Sequence, residues 1–331
     1  MFKSLNTIKL ISDYLTQNGV IDENVNIDSI YSFFKYLECN KNKFYTLYIY
    51  NYLYNFISSD EVNKRKTSAR VFEDLLAIIF KGKVADTEQR RNLQYQVSDY
   101  FINVKDKIAG NRREKADIIF PNNYSFSVKT LIAKNNEINM GSFEKKVLFD
   151  GLKVDNYLSE RKSSDGAGVG SKPQFLKLLQ LVDTLSSYEQ FKDKFNKMVE
   201  FIYSDDLLLT IKNNDKMELY FFTGAEIINI FKNHSVNTND FLKIVNHYEG
   251  NSIRIDKNAF TNQCTKTIML DFAYLNKSVI ALINSFDYKL HQSYFDYLAK
   301  GKEYKNTIMQ DLEQIFSEFD KHSKDLIWKK R

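Results

Sequence analysis

The sequence predicts an α+β (mixed α/β) fold with a central mixed β-sheet flanked by helices. Two patterns support this class. Apolar residues recur at helical spacing in several segments, and short runs rich in β-branched and aromatic residues lie between turn residues. Hydrophobic residues make up 43% of the 331 positions, which is enough for a sizeable core and one to two domains.

The first region, residues 1–66, is predicted to be an N-terminal helical layer. Apolar residues at helical spacing predict helices over 3–16, 27–37 and 43–57. A polar run at 58–67 follows these helices, so we place a soft boundary between residues 66 and 67.

The second region, residues 67–152, is predicted to contain a helix, strand segments, a β-hairpin and a further helix. The helix over 68–80 has a buried apolar stripe, formed by Val71, Leu75, Ile78 and Ile79. The hairpin joins two apolar runs at 115–120 and 124–129 through the turn Pro121-Asn122-Asn123.

The third region, residues 153–331, is predicted to be α+β at first and helical at its end. Its expected elements are a helical stretch at 174–202, strands at 207–211 and 217–222, a helix at 225–231, a strand pair formed by 252–255 and 267–270, and an amphipathic tail at 288–328. Aromatic residues in the tail recur at helical spacing, so we expect the tail to serve core or subunit packing.

The hairpin places one carboxylate and one ammonium on adjacent strands, at Asp117 and Lys129. A phosphodiester is anionic and resists attack by an anionic nucleophile. Enzymes therefore use Mg²⁺, held by carboxylate oxygens, to neutralise charge and to acidify water. A lysine nearby orients the water or balances the charge of the transition state. Asp117 and Lys129 are thus a candidate site for phosphodiester hydrolysis.

These residues resemble the motif of type II restriction endonucleases in the PD-(D/E)xK nuclease superfamily. Asp117 matches the metal-binding Asp and Lys129 matches the Lys, while Ala116 replaces the usual Pro and Ser127 replaces the usual second acid. The chain is thus similar to Ser-x-Lys variants of the family. The resemblance implies a restriction-endonuclease-like α-β-β-β-α core within 67–152, which is about a quarter of the chain.

The resemblance also implies an activity and partners. The expected function is Mg²⁺-dependent hydrolysis of double-stranded DNA at a short specific sequence, with 153–331 serving DNA recognition, dimerisation or both. A palindromic target implies a homodimer in which each subunit cuts one strand. The expected genetic partner is a cognate DNA methyltransferase that protects the host's own sites.

In Ser-x-Lys relatives a neighbouring helix supplies the missing carboxylate, and two residues of this chain fit that role. Glu73 lies on the flank of the apolar stripe in the helix before the hairpin, and Glu144 lies in the segment after the lysine strand. We favour Glu73 and keep Glu144 as the competing metal ligand.

Basic residues surround the candidate site and are expected to contact DNA phosphates. They are Arg112, Arg113 and Lys115 before the hairpin, and Arg161, Lys162 and Lys172 in a polar, glycine-containing loop. This loop lacks the Gly-Lys-Ser/Thr ending of a phosphate-binding loop, so no ATP site is predicted there. The net charge of +5 fits a DNA-binding enzyme without requiring one.

Other classes of site find little support in the sequence. Cys39 and Cys264 lie far apart and the four histidines are scattered, which argues against structural zinc and histidine-based catalysis. The sequence contains neither a membrane-spanning apolar segment of about 20 residues nor a leader pattern, so the protein is expected to be cytoplasmic. Two alternatives stay open: a non-catalytic nucleic-acid-binding protein and a structure-specific DNA repair nuclease of the same superfamily.

Overall fold

The computed structural model describes residues 2–58, 65–84, 116–142, 148–154, 172–249, 252–301 and 305–328. Within these ranges the protein is a mixed α+β structure with one six-stranded and one three-stranded β-sheet. The predicted fold class is confirmed at this level.

The chain forms two compact units. Unit 1 comprises Met1–Thr130, Leu208–Leu219 and Thr267–Arg331, and unit 2 comprises Leu131–Leu207 and Tyr220–Lys266. The chain therefore leaves unit 1 and returns to it twice. The boundaries predicted from the sequence, at residues 66/67 and 152/153, separate proposed functional regions and stay predictions.

Unit 1 begins with four helices: α1 (Phe2–Gln17), α2 (Ile27–Cys39), α3 (Phe44–Ser58) and α4 (Arg65–Ile79). The first three confirm the helices predicted from apolar spacing. A capping box starts α2: the Ser29 amide donates to the side chain of Asn26, and the Asn26 amide donates to the hydroxyl of Ser29, both at 2.9 Å.

The strands in the described ranges are β1 (Lys83–Val84), β2 (Ile118–Ile119), β3 (Ser125–Ile132), β4 (Glu137–Ser142), β5 (Asp206–Lys212), β6 (Lys216–Phe222), β7 (Val245–Glu249), β8 (Ser252–Asp256) and β9 (Lys266–Asp271). The six-stranded sheet has the order β1-β2-β3-β5-β6-β9, and the three-stranded sheet has the order β4-β8-β7. Strand β2 pairs antiparallel with both β1 and β3.

The predicted pairing of 252–255 with 267–270 is wrong. Strand β8 pairs with β4 and β7, whereas β9 forms an edge of the six-stranded sheet. The short helix α9 (Lys257–Thr261) begins directly after β8, where the side chain of Asp256 accepts a hydrogen bond from the Ala259 amide at 2.8 Å. Neighbours in sequence thus join different sheets, because strand pairing depends on partners that are remote in the chain.

Two long helices end unit 1, α10 (Lys277–Lys300) and α11 (Lys305–Trp328). The predicted amphipathic tail at 288–328 covers the end of α10 and all of α11. Helix α10 ends at Gly301, which has a φ of 72° and whose amide donates to the Tyr297 carbonyl at 3.1 Å. Helix α10 packs against α1, α3 and α11. The ring of Phe44 lies at the centre of this packing, 4.7 Å from the ring of Phe319.

In its described residues, unit 2 contains the three-stranded sheet, α9 and the helices α5 (Lys172–Thr184), α6 (Tyr188–Ile202), α7 (Gly224–His234) and α8 (Thr238–Ile244). The predicted helical stretch at 174–202 is two helices, with Ser186 at a φ of 53° between them. Helices α5 and α8 pack against β7. None of the helices in the described part of the chain meets the length and hydropathy that crossing a membrane requires.

Candidate active site at the β2–β3 hairpin

The predicted hairpin is confirmed. Ile118 pairs with Phe126 and Ile119 pairs with Ser125, in antiparallel register. In the turn the Asn123 amide donates to the Phe120 carbonyl at 2.9 Å, with Asn123 at a φ of 62° that asparagine tolerates well. The local sequence therefore determines how β2 returns into β3.

Asn122 attaches this turn to the connection between α1 and α2. Its side-chain amide donates to the carbonyl of Val25 at 2.8 Å and to the side-chain oxygen of Asn24 at 2.9 Å. Its own side-chain oxygen accepts the Tyr124 amide at 3.0 Å. These hydrogen bonds hold the hairpin in a fixed position within unit 1.

Asp117 lies directly before β2 and is bound to β3 twice. Its amide donates to the Phe126 carbonyl at 3.1 Å, and its carboxylate oxygen Oδ2 accepts the Val128 amide at 2.7 Å. The carboxylate therefore lies against the backbone of β3 at the residue between Ser127 and Lys129. A carboxylate has two oxygens and accepts about four hydrogen bonds or metal contacts in all.

Side chains alternate between the two faces of a strand. In β3 the side chains of Phe126 and Val128 are buried, while Ser127 and Lys129 are half-buried on the opposite face. Asp117 lies at a bend directly before β2 and is half-buried between Ala116 and Ile118, whose side chains are buried. The hairpin thus brings Asp117, Ser127 and Lys129 to one face of the sheet, which we call the polar face.

Helix α4 reaches the hairpin through a tight C-terminal cap. Lys81 has a φ of 57°, and the Gly82 amide donates to the Ala77 carbonyl at 2.8 Å, which ends the helix and directs the chain into β1. A Cβ atom on Gly82 would lie 2.6 Å from Cε1 of Phe120 and 2.9 Å from Cγ2 of Ile118. Only glycine therefore permits this close approach of the cap to the hairpin.

Glu73, the favoured helix carboxylate, lies on α4 and is half-buried. Its neighbour Asp74 is buried, although aspartate is rarely buried unless it is paired. The sequence interpretation missed Asp74. Its position three residues after Val71 and four before Ile78 places it on the apolar stripe, and a charged residue on such a stripe is a signal that was available.

Lys172 is the predicted DNA-binding residue that the structure describes. It begins α5 in unit 2, and its ammonium donates to the side-chain oxygen of Asn246 at 3.1 Å. The predicted residues Arg112, Arg113, Lys115, Arg161, Lys162 and Glu144 lie outside the described residues. Their roles stay predictions.

A polar cluster surrounds Lys172 on the three-stranded sheet. The side-chain amide of Asn246 donates to Oε1 of Glu137 at 3.0 Å, and Nδ1 of His247 lies 3.5 Å from the same oxygen. Strand register places Arg254 of β8 between Asn139 of β4 and His247 of β7. Unit 2 thus has a row of hydrogen-bonding side chains that reaches across all three strands.

Lys212 is a second lysine of the six-stranded sheet and was also missed. It is 3% exposed, and its ammonium lies 4.6 Å from the ring centre of Phe56 on α3. Within the described residues the Nζ atom has no hydrogen-bond partner. Burial lowers the pKa of Lys212 to about 8, because a low-dielectric environment disfavours the charged form.

Lys212 and Lys129 lie on opposite faces of the sheet. The Thr210 hydroxyl of β5 donates to the Thr130 hydroxyl of β3 at 3.0 Å, so these two side chains share a face. Alternation puts Lys212 on the face of Thr210 and puts Lys129 on the other. Lys212 is therefore separate from the Asp117 site.

The donor set at the polar face suits a hard cation such as Mg²⁺, which prefers oxygen ligands. Among the residues that the structure describes, no group of three His, Cys, Asp or Glu side chains is placed to hold a metal ion. Magnesium in nucleases and polymerases commonly takes one or two protein carboxylates and completes its coordination with water and substrate phosphate. Asp117, already fixed against β3, fits the role of such a carboxylate.

Comparisons of the chain with protein-family models, with curated proteins and with solved structures find no match.

Proposed function

We propose that the protein is a type II restriction endonuclease that hydrolyses double-stranded DNA at a short specific sequence with Mg²⁺. The observation that carries the proposal is the hydrogen bond from the Val128 amide to Asp117, because it holds the carboxylate beside Ser127 and Lys129. The order α4-β1-β2-β3 also agrees with the helix and strands expected at the start of a restriction-endonuclease-like core.

In the proposed mechanism Asp117 would hold Mg²⁺ together with one carboxylate from a helix. Glu73 is the favoured second ligand, and Glu144 is the competing residue. When bound, Mg²⁺ neutralises phosphate charge and makes water a better nucleophile at neutral pH.

Lys129 acts on the phosphate that is being attacked. Its ammonium orients the attacking water and balances the negative charge that develops on the phosphorus oxygens in the transition state. Ser127 keeps a hydroxyl beside this lysine, on the same face of β3. Hydrolysis adds one water across a P–O bond and leaves one phosphate end and one hydroxyl end.

DNA binding is assigned to both units in this proposal. Arg112, Arg113, Lys115, Arg161, Lys162 and Lys172 neutralise backbone phosphates. The row of Asn139, Arg254 and His247 offers amide, guanidinium and imidazole groups of the kind that read base edges in the major groove. The proposed active form is a homodimer in the cytoplasm, with a DNA methyltransferase as its genetic partner.

The test is digestion of unmethylated phage DNA by the purified full chain, with Mg²⁺ or with EDTA, comparing the wild type with Asp117→Asn. The matched control is Asp193→Asn, which removes the same charge from an exposed position on α6. We expect discrete fragments from the wild type and the control in Mg²⁺, and intact DNA from Asp117→Asn or in EDTA.

Three other outcomes would contradict this proposal. Cutting of branched or damaged DNA without discrete duplex fragments would favour a structure-specific repair nuclease. Binding of DNA without cleavage in any divalent metal would favour a non-catalytic module. Discrete cutting by Asp117→Asn would show that the active site lies elsewhere.

A further inference from the structure

Helix α10 has two apolar stripes. The first is buried in unit 1 and consists of Val279, Ile283, Phe286, Leu290 and Tyr294. The second is exposed and contains Tyr288, Phe295 and Leu298, with exposed fractions of 69%, 50% and 57%. Spacings of seven and three residues put these three side chains on one side of the helix.

The exposed stripe is compact. His291 lies within it, and its ring packs edge-on against the ring of Phe295 with 4.6 Å between the centroids. Tyr288 has the largest exposed fraction of any large hydrophobic side chain in the described residues. Contiguous exposed apolar surface of this kind typically marks an interaction site.

The stripe lacks charge along its length. Asn284 extends it toward the start of the helix, and Gln292 and Ala299 border it on one side. The charged residues of this half of α10 point elsewhere and are paired: Lys289 with Glu318 at 2.9 Å, and Lys300 with Asp296 at 3.8 Å. Two identical stripes can therefore meet without bringing like charges together.

We propose that a second copy of this chain packs on the stripe, with the two α10 helices antiparallel about a two-fold axis near residue 293. In this register Tyr288 of each copy faces Leu298 of the other, and His291 faces Phe295. The pattern is self-complementary, as a two-fold interface requires. The absence of charge in the stripe favours such self-association over a strongly basic or acidic partner.

The area of the stripe sets the strength of this contact. Each aromatic side chain buries roughly 150–250 Å² when fully covered, and a stable dimer needs about 800 Å² from each partner. The stripe supplies a part of that area, so the free protein forms a weak dimer in the micromolar range. Two copies bound to one DNA have a raised effective concentration, which strengthens the contact. Only this last step rests on the proposed function.

Sedimentation velocity of the full chain, from about 1 to 200 µM without DNA or metal, tests the interface. We expect the wild type to shift from monomer to dimer over this range, and Phe295→Glu to remain monomeric. The matched control is Phe201→Glu, because Phe201 is 49% exposed on α6 and away from the stripe. The control dimerises like the wild type.

A mixing experiment tests the antiparallel register. Tyr288→Glu and Leu298→Lys are each expected to weaken self-association at least tenfold. A mixture of the two restores dimers, because residue 288 of one copy then faces residue 298 of the other as an ion pair at one end of the contact. Thermal unfolding of each variant checks that the fold is retained.

Three results would overturn the interface. The first is a wild type that stays monomeric up to the highest concentration, and the second is equal loss of dimer in Phe201→Glu and Phe295→Glu. The third is a Phe295→Glu variant that still dimerises, which would place the contact on another surface. Since the measurement involves neither DNA nor Mg²⁺, it is independent of whether the protein cuts DNA.

Discussion

On one face of the six-stranded sheet, Lys129 is half-buried and shares the polar face with Asp117 and Ser127. On the other face, Lys212 is buried and lies over the ring of Phe56. The same residue type therefore has two environments within adjacent strands. A half-buried lysine near a fixed carboxylate can act on a phosphate from solution, whereas a buried lysine with an aromatic neighbour mainly changes the stability of the fold.

The difference predicts that the two lysines affect different measurements. Loss of a positioned cation lowers the reaction rate, because the transition state loses a stabilising charge. Removal of a buried ammonium changes the free energy of unfolding. Substituting each lysine by methionine keeps an unbranched side chain of nearly the same length, removes the charge and separates these effects.

Lys129→Met gives the largest expected effect. Removing one group that stabilises developing charge in a transition state typically costs about 10²–10³ in rate. We expect the rate of DNA cleavage to fall by that factor, with little change in unfolding temperature because the side chain is half-buried. Initial rates on a plasmid with one target site provide the measurement.

The control for this substitution is Lys134→Met, an exposed lysine five residues further along the chain. It undergoes the same chemical change and should cut at the wild-type rate. Equal rates for the wild type and Lys129→Met would remove Lys129 from the active site and leave the polar face without a catalytic cation.

Lys212→Met should stabilise the protein. The pKa of Lys212 is about 8 in the folded state, against 10.5 for an unperturbed lysine. Below pH 8 the amine is protonated in both states, so the folded state bears the full cost of burying the charge. This cost corresponds to at most about 3 kcal/mol at 1.36 kcal/mol per pKa unit. The ring of Phe56 offsets about 1–2 kcal/mol of it, so the expected gain at pH 7 is about 1–2 kcal/mol.

The pH dependence of this gain tests its cause. As the pH rises from 8 to 10.5 the folded state loses the proton first, and the advantage of methionine fades. Urea unfolding of wild type and Lys212→Met at several pH values measures it, with Lys134→Met showing no such trend. A gain that persists unchanged at high pH would mean that methionine packs better and that the charge has no part in it.

The local sequence predicts the polar face of the sheet better than it predicts the opposite face, on which Lys212 lies. The turn Pro121-Asn122-Asn123 and the alternation of Phe126 and Val128 with polar residues specify the hairpin within about a dozen residues. The polar face follows from that alternation. Asp117 and Lys129 could therefore be singled out from the sequence, and the hairpin that positions them is confirmed.

The environment of Lys212 could not be predicted in this way. Lys212 is the last residue of an apolar run, and this position predicts an exposed strand end. Its ammonium is instead covered by the ring of Phe56, which is far away in sequence. The same limit explains the wrong pairing of β8 with β9, since each finds its partners through tertiary structure. Asp74 is different, because its position on the α4 stripe was visible in the sequence and was passed over.

Gly82→Ala should displace the hairpin that carries the polar face. The added Cβ would lie 2.6 Å from Phe120, so the cap of α4 and the hairpin must move apart. Overpacking of this kind costs about 1–3 kcal/mol. We expect a lower unfolding free energy together with slower DNA cleavage, because the hairpin holds Asp117.

A second substitution tests the steric cause. Phe120→Leu in the Gly82→Ala background should recover part of the loss, whereas Phe120→Leu alone should destabilise the protein. A double-mutant cycle from urea unfolding gives the interaction energy. Simple additivity of the two substitutions would mean that the contact between residue 82 and Phe120 is not the source of the effect.

A comparison of two substitutions separates the two roles of Asp117. Its carboxylate accepts the Val128 amide at 2.7 Å, so the residue contributes to the fold as well as to the proposed metal site. Asp117→Asn keeps an oxygen that accepts this hydrogen bond but loses the charge, while Asp117→Ala leaves the amide without its acceptor. We expect both variants to lose cleavage, and Asp117→Ala to be less stable than Asp117→Asn by about 1–3 kcal/mol in urea unfolding.

Equal stability of the two would show that the hydrogen bond contributes nothing measurable to the fold. Cleavage by Asp117→Asn with loss of stability in Asp117→Ala would make Asp117 a structural residue of the hairpin, and the polar face would then lack the metal ligand on which its chemistry depends.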